Sequence, residues 1–432
     1  MVLKFTLKNY RSYKGEAEFN LLAETARAKS ENFFEIPEFE SSKKKFKILK
    51  TAVIYGANAS GKSNIIKGLN DLIHYILDKP KVTSNVPIYT PFQFAAETAK
   101  ANSKFVLTFI GPKDCMYVYS LEVNKRIVLR EQLDYYPAGK SLTILDRQNN
   151  EESLNEQPDG KIIESDMIES IVLEGKKYTL FKNQLLLSIF VEEPHEILTS
   201  VYLYFKNNFG QHTGELVSKE DVSKQLVTDK SLNTRLKQLL CAADTKINDF
   251  FIVDLRETLE KLKNENPQVA MESADSFFEL TMHNFYESGI LKHGNSPLFL
   301  SEESQGSQTL FSLGTRILKA LEEGKTLIYD ELDTSLHPYV TKMLVMLFLS
   351  KKINKKNAQL IFTTHDISLL DEDLLRKDQI WFAEKDEQGV SDFYSLQDFD
   401  NVREDIPFDK WYMAGKFGGL PNIGEIEKIF EE

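Results

Sequence analysis

At 432 residues the chain exceeds a typical single domain, and two or three domains are expected. Its hydrophobic fraction of 42% is that of an ordinary globular protein, and no run approaches the roughly 20 apolar residues of a bilayer-spanning helix, which argues against a membrane subunit. A formal net charge of −12 argues against a broad nucleic-acid-binding surface, since neutralising phosphates takes clustered Lys and Arg.

The opening alternation of Leu3, Phe5 and Leu7, then Tyr10 to Tyr13, then Ala17 and Phe19, predicts two short strands joined by a polar turn. A secretory leader would carry a continuous apolar segment instead, so cytoplasmic residence is expected. Cys115 and Cys241 lie too far apart for a zinc knuckle or a disulfide framework and are expected to be buried packing residues. Two lysine runs, Lys43, Lys44, Lys45, Lys47 and Lys50, and later Lys351, Lys352, Lys355 and Lys356, are read as solvated loops.

Thr51-Ala52-Val53-Ile54-Tyr55 is an unbroken apolar run ending in glycine, as in a strand covered on both faces. Beyond Lys62, Ile65, Ile66, Leu69, Leu72, Ile73 and Ile76 recur at helical spacing. Between this strand and helix lies Gly56-Ala57-Asn58-Ala59-Ser60-Gly61-Lys62-Ser63, which fits a P-loop. Its glycines let backbone N–H groups turn towards phosphates, Lys62 reaches the β and γ phosphates, and Ser63 offers a hydroxyl to Mg²⁺. Asn58, Ser60 and Asn64 belong to the same cradle.

Period-two patterning from Phe105 to about Leu145 predicts a β meander. From about Arg147 to Asn295 helical patterning dominates. The stripes Ile197, Val201, Phe205, Phe209 and Leu232, Leu236, Leu239, Leu240 read as core faces. The charged segment Arg256 to Asn266 is helix-prone but too short for a coiled-coil arm. After Pro297, strands and amphipathic helices alternate again. Three regions follow: an ATPase lobe at 1–146, a mainly helical insertion at 147–295, suited to partner recognition, and a second ATPase lobe at 296–432.

The second lobe supplies the remaining chemistry. Thr326-Leu327-Ile328-Tyr329-Asp330-Glu331 is an apolar strand delivering two carboxylates, as a Walker B strand does, with Asp330 for Mg²⁺ and Glu331 to polarise the attacking water. Ser304-Gln305-Gly306-Ser307-Gln308 opens a helix with the serine and glycine of an ABC signature, lacking its second glycine. Leu332 to Pro338 reads as a D-loop. Leu360-Ile361-Phe362-Thr363-Thr364-His365 is a buried strand ending in a candidate switch histidine, His365.

In this order, Walker A, signature, Walker B, D-loop and histidine, the chain resembles the AAA15 or RloA-like group of ABC-type ATPases, related to overcoming-lysogenization-defect proteins. Asn9-Tyr10-Arg11-Ser12, Pro91-Phe92-Gln93-Phe94, Asp378-Gln379-Ile380-Trp381-Phe382 and the tail Tyr412-Met413-Ala414-Gly415-Lys416-Phe417-Gly418-Gly419-Leu420-Pro421 also carry the resemblance. It implies an α/β fold, an ABC-type P-loop ATPase head with a β meander and a helical insertion, binding ATP and Mg²⁺. It further implies Gln93 as the Q-loop glutamine at the metal and Arg11 beside the nucleotide. A homodimer or higher homo-oligomer bridged by nucleotide is expected. So is a separately encoded effector, a Toprim or RloB-like nuclease, since the chain leaves no room for a fused one. The resemblance places such a pair in anti-phage defence, answering a phage-borne trigger. Two other readings stay open at this level: a DNA-repair ATPase of the RecF or Rad50 kind, and an ATP-dependent scaffold with little turnover. Direct contact with nucleic acid is open too.

Overall fold

In the computed structural model, residues 1–24, 29–39, 42–81, 84–149, 167–192, 194–209, 219–243, 245–255, 277–400, 402–403 and 405–422 are described. The helix-prone segment Arg256 to Asn266 lies outside them. The opening alternation forms β1 (Val2–Tyr10) and β2 (Tyr13–Asn20), an antiparallel pair turning at Arg11 with φ 51°. A hairpin of β3 (Phe33–Pro37) and β4 (Lys45–Leu49) follows. Next come β5 (Thr51–Tyr55), buried throughout, and α1 (Lys62–Leu77). The meander is β6 (Ser103–Ile110), β7 (Met116–Val123), β8 (Val128–Tyr136) and β9 (Leu142–Gln148). It extends the first pair into a six-stranded antiparallel sheet of order β2-β1-β6-β7-β8-β9.

The described residues between 147 and 295 are mixed rather than mainly helical. They contain the hairpin β10 (Ile168–Leu173) and β11 (Lys176–Phe181), the helices α2 (Glu196–Asn208), α3 (Lys219–Thr228) and α4 (Lys230–Ala242), and β12 (Asp249–Asp254) with β13 (Phe277–Glu287) and most of β14 (Ile290–Phe299). The last three form their own sheet. Both expected stripes are core faces, but they serve different cores. Val201, Phe205 and Phe209 pack with the six-stranded sheet, whereas Leu232, Leu236, Leu239 and Leu240 pack with the second lobe. The segment therefore completes two hydrophobic cores instead of standing apart as a separable insert. Of the cysteines, Cys115 is buried as expected but Cys241 is exposed.

One buried carboxylate, paired with Arg147 across β8 and β9, ties this segment to the meander. Glu131 on β8 accepts from the backbone N–H groups of Leu186 (2.6 Å) and Leu187 (3.0 Å), from Tyr119 (3.0 Å) and from Arg147 (3.2 Å), with both charged side chains at most 1% exposed. Removing Glu131 leaves the N–H groups of Leu186 and Leu187 and the Tyr119 hydroxyl without this buried acceptor, and leaves Arg147 with Glu169 as its remaining carboxylate. Glu131→Ala is expected to lower stability by about 3 kcal/mol or more, measured by urea unfolding.

The second lobe supplies α5 (Gln305–Glu323), β15 (Thr326–Tyr329), α6 (Pro338–Leu349), β16 (Gln359–Thr363), β17 (Ile380–Lys385), β18 (Ser391–Ser395) and α7 (Phe408–Met413). With β5 from the first lobe they build a sheet of order β15-β16-β5-β17-β18, parallel except for β18. Alternation along β5 divides its residues between the two cores: Ala52 and Ile54 face α1 and the meander, Val53 and Tyr55 the second-lobe helices. The two lobes thus fold as one α/β head, with the glycine-rich loop between β5 and α1 and the β meander packed beside it. Parallel strands point one way, so the ends of β5, β15 and β16 bring Gly56, Asp330 and Thr363 to the same edge. Among the described residues no helix is long and apolar enough to cross a membrane.

Candidate nucleotide site

Gly56 and Gly61 have φ of 148° and 114°, conformations that L side chains rarely adopt. Space is closed at both as well. A Cβ at Gly56 would run into the carbonyl of Ala383, and one at Gly61 into Ser391. The loop between them is held from outside: Ser391 Oγ donates to Ser60 O at 2.6 Å, and Ser391 N to Ser12 O at 2.8 Å. Asn64 Nδ2 donates to Ser12 Oγ at 2.7 Å. Ser60 is buried, and its hydroxyl has no hydrogen-bond partner among the described residues. Asn58 is exposed at the loop's tip.

α1 starts at Lys62, and its first N–H groups have no intrahelical acceptor, which makes the helix start an anion cradle. Lys62 Nζ curls over the loop, donating to Gly56 O at 2.7 Å and Ala57 O at 2.9 Å. Burial pulls this ammonium below its ordinary pKa, against the opposing pull of Asp330, Glu331 and Asp333. A buried cation facing three carboxylates is the electrostatic frame of the site.

The carboxylates are positioned by a relay from the neighbouring strand. Ser63 Oγ and Thr363 Oγ1 both donate to Asp330 Oδ1, at 3.0 and 2.6 Å, and Thr363 Oγ1 accepts from the N–H of Glu331 at 2.7 Å. Glu331 itself is exposed and has φ 56°, a left-handed conformation uncommon for a residue with a side chain. Its short tether to Thr363 and the bond from Leu332 N to Thr363 O (3.0 Å) fix that turn. The backbone N–H of His365 donates to Asp333 Oδ2 at 3.2 Å, leaving its exposed imidazole at the same edge.

Other expected residues lie at varying remove. Ser304 caps α5, accepting from Ser307 N at 3.2 Å, and Gly306 faces the D-loop segment so closely that a Cβ would sit 2.8 Å from Ser335 O. Among the described residues Ser304 makes no hydrogen bond to the P-loop. The Gln93 amide donates to Pro91 O at 2.9 Å and is exposed, with no hydrogen bond to Ser63 or Asp330 among the described residues. The Arg11 guanidinium donates to Tyr10 Oη at 2.9 Å and lies 3.7 Å from Asp71 on α1. Asp71 is nine residues beyond Lys62, about 13 Å along the helix axis. Arg11 thus flanks the helix, and Ser12 is the member of that motif touching the P-loop.

Sequence reasoning missed Thr363, Ser12, Ser391 and the tail as site residues. Gly419, at φ 67°, lies so near Gly56 Cα that an added Cβ would be 3.5 Å from it, and the Tyr412 hydroxyl donates to Gly419 O at 3.1 Å. The glycine pair in the tail was the available signal.

Among the described residues no cluster of three His, Cys, Asp or Glu forms an all-protein metal cage. The donors do suit Mg²⁺, which keeps most of its waters and takes one or two protein oxygens plus phosphates, here Ser63 Oγ and Asp330 Oδ1. The unpartnered Ser60 hydroxyl and the helix start suit the phosphates of ATP.

The chain is similar to the SMC head domain from Thermotoga maritima, at 12% identity and TM-score 0.42, covering 91% of this chain and 98% of that one. It is similar also to the recombination mediator protein RecF-ATPrS of the RecFOR pathway, at 14% identity and TM-score 0.38, covering 91% and 98%. No curated protein matches. The family model described as "AAA domain, putative AbiEii toxin, Type IV TA system" matches residues 52–371, from β5 past His365. With that span covering both the P-loop and the Asp330–Glu331 strand, the chain belongs to this AAA-domain family.

Proposed function

We propose that the protein binds ATP with Mg²⁺ at the P-loop and hydrolyses it, working as a nucleotide-gated switch. The observation that carries this reading is the chain Ser63–Asp330–Thr363–Glu331, which links the P-loop hydroxyl to the carboxylate pair across two strands. When bound, the metal would neutralise the β and γ phosphates. Lys62 would exchange the carbonyls of Gly56 and Ala57 for phosphate oxygens, and Glu331 would accept the proton of the attacking water. His365, at the same edge, would hold the γ-phosphate end. Gln93 reaches the metal's waters only by leaving Pro91 O, and that movement is assigned to the nucleotide-bound form. Phosphate release by the full chain in Mg²⁺ and ATP tests the reading; a folded chain that neither binds nor hydrolyses ATP would overturn it.

The switch is assigned to a homodimer, or higher homo-oligomer, closed by ATP. Ser304, capping α5, makes no hydrogen bond to the P-loop among the described residues, and in this reading the γ phosphate is covered by the Ser304 of a second copy. Mixing supplies a test. Lys62→Ala and Ser304→Arg homodimers each carry two broken sites, whereas their heterodimer carries one intact site. Partial recovery of hydrolysis on mixing is the expected outcome; verified heterodimers that stay inactive would remove either the composite site or the independence of its two halves.

Biologically, the reading is a sensor ATPase of anti-phage defence acting on a separately encoded nuclease. The RloA-like motifs and a family described by a toxin of a toxin–antitoxin system support it. Copurification of the product of the neighbouring gene, retained with ATP and lost with ADP, is the expected result.

A further inference from the structure

We propose a second anion site, for a phosphate group, in the cavity at the opposite edge of the parallel sheet, held by Lys50, Lys351 and Lys355. The two lysine runs of the sequence lie some 300 residues apart, yet the fold brings them to one place. A cavity of about 620 Å³ is lined by Ser30, Phe33, Phe34, Glu35, Lys50, Lys351, Asn354, Lys355 and Asn357. Lys50 closes its floor. This side chain is 1% exposed and donates one hydrogen bond, to Leu349 O at 2.8 Å, among the described residues, although an ammonium has three donors. Its charge also sits 5.3 Å from the centre of the Phe34 ring.

Burying an ammonium is costly unless something compensates it. Burial, and then the neighbouring charge of Lys351, hold Lys50 down to about 8, with Glu31 alone pulling the other way. Glu35, the carboxylate in the lining, is engaged by Lys45 at 3.1 Å. Lys351 and Lys355 are exposed at the mouth, with Lys352 and Lys356 beside them. Three cations converging on a pocket whose one carboxylate is already paired is an arrangement that an anion relieves, on a protein otherwise strongly acidic. The site is separate from the P-loop. Lys50 immediately precedes β5 and Gly56 follows it, so the extended strand sets them about 20 Å apart.

The phosphate could belong to a nucleic-acid backbone or to a free phosphorylated small molecule, and two probes distinguish them. Inorganic pyrophosphate is titrated calorimetrically into the full chain and into Lys351→Glu/Lys355→Glu; a short fluorescein-labelled single-stranded oligonucleotide is titrated into both by anisotropy. Any P-loop contribution is common to both proteins and cancels in the comparison. The expected result is saturable binding of at least one probe, weakened about 10-fold or more by the double reversal, with ATP binding at the P-loop unchanged. For the oligonucleotide, the slope of log affinity against log salt should also fall by about 1.4, at 0.7 per phosphate contact. Binding of pyrophosphate alone would assign a small-molecule ligand, and binding of the oligonucleotide alone a backbone phosphate. Failure of both probes to bind, or equal binding to both proteins, would overturn the site. The milder Lys351→Gln/Lys355→Gln pair repeats the comparison if the charge reversal alters ATP binding, and must also weaken the probe for the site to stand.

Discussion

Lys62→Ala is expected to lose ATP binding altogether in calorimetry while the chain remains folded. Lys62 is the cation in the loop, set between the carbonyls of Gly56 and Ala57 and the carboxylates of Asp330, Glu331 and Asp333. Removing it leaves three acidic groups facing a triphosphate with no compensating charge except the metal. Charge-assisted bonds to phosphate are about twice as strong as neutral ones, and here the repulsion they offset is close by. The protein should not collapse, because Lys62 contributes its charge to the loop and little to either core. Unchanged ATP affinity in this variant would dismiss the P-loop assignment.

Glu331→Gln is expected to bind ATP as the wild type does and to hydrolyse it more slowly by about two orders of magnitude or more, the range for losing a general base. The substitution is nearly isosteric, and the bond that holds this turn comes from the backbone N–H of Glu331, which the variant keeps. Binding and catalysis therefore separate. Asp330, the carboxylate in contact with Ser63, is untouched, so affinity for Mg²⁺ and ATP should stay within about twofold. Single-turnover phosphate release with ATP affinity measured in parallel resolves the two effects. Wild-type turnover would pass the role of base to another group, with His365 a candidate at that edge.

The P-loop and the Asp330–Glu331 strand were legible in the sequence because their chemistry is local. Gly56, Gly61, Lys62 and Ser63 lie within one turn, and a strand ending in two carboxylates needs no distant partner to be recognised. Thr363 was not legible in its positioning role, since that role exists only because β16 lies between β15 and β5. Ser12, Ser391 and Gly419 are further cases, each touching the loop from a different part of the chain.

Residues 277–295 misled for a different reason. The buried positions of β13 are Phe277 and Thr281, four apart, a spacing that suits a helix and a strand equally. Sheet pairing with β12 and β14, not local pattern, decides the outcome. The lysine runs show the same limit. Each reads as a solvated loop on its own, and only the fold sets Lys50 beside Lys351.

The most direct test of the central claim is the rate of phosphate release per chain, followed in Mg²⁺ and saturating ATP as protein concentration is raised. An ATPase whose site is completed by a second copy predicts release that depends on Mg²⁺ and a rate per chain that climbs with concentration to a plateau as dimers fill. Release no greater than that of Lys62→Ala, from a chain shown to be folded, would contradict hydrolysis at this site. A full rate per chain, independent of concentration in a chain that stays monomeric, would contradict its completion by a partner.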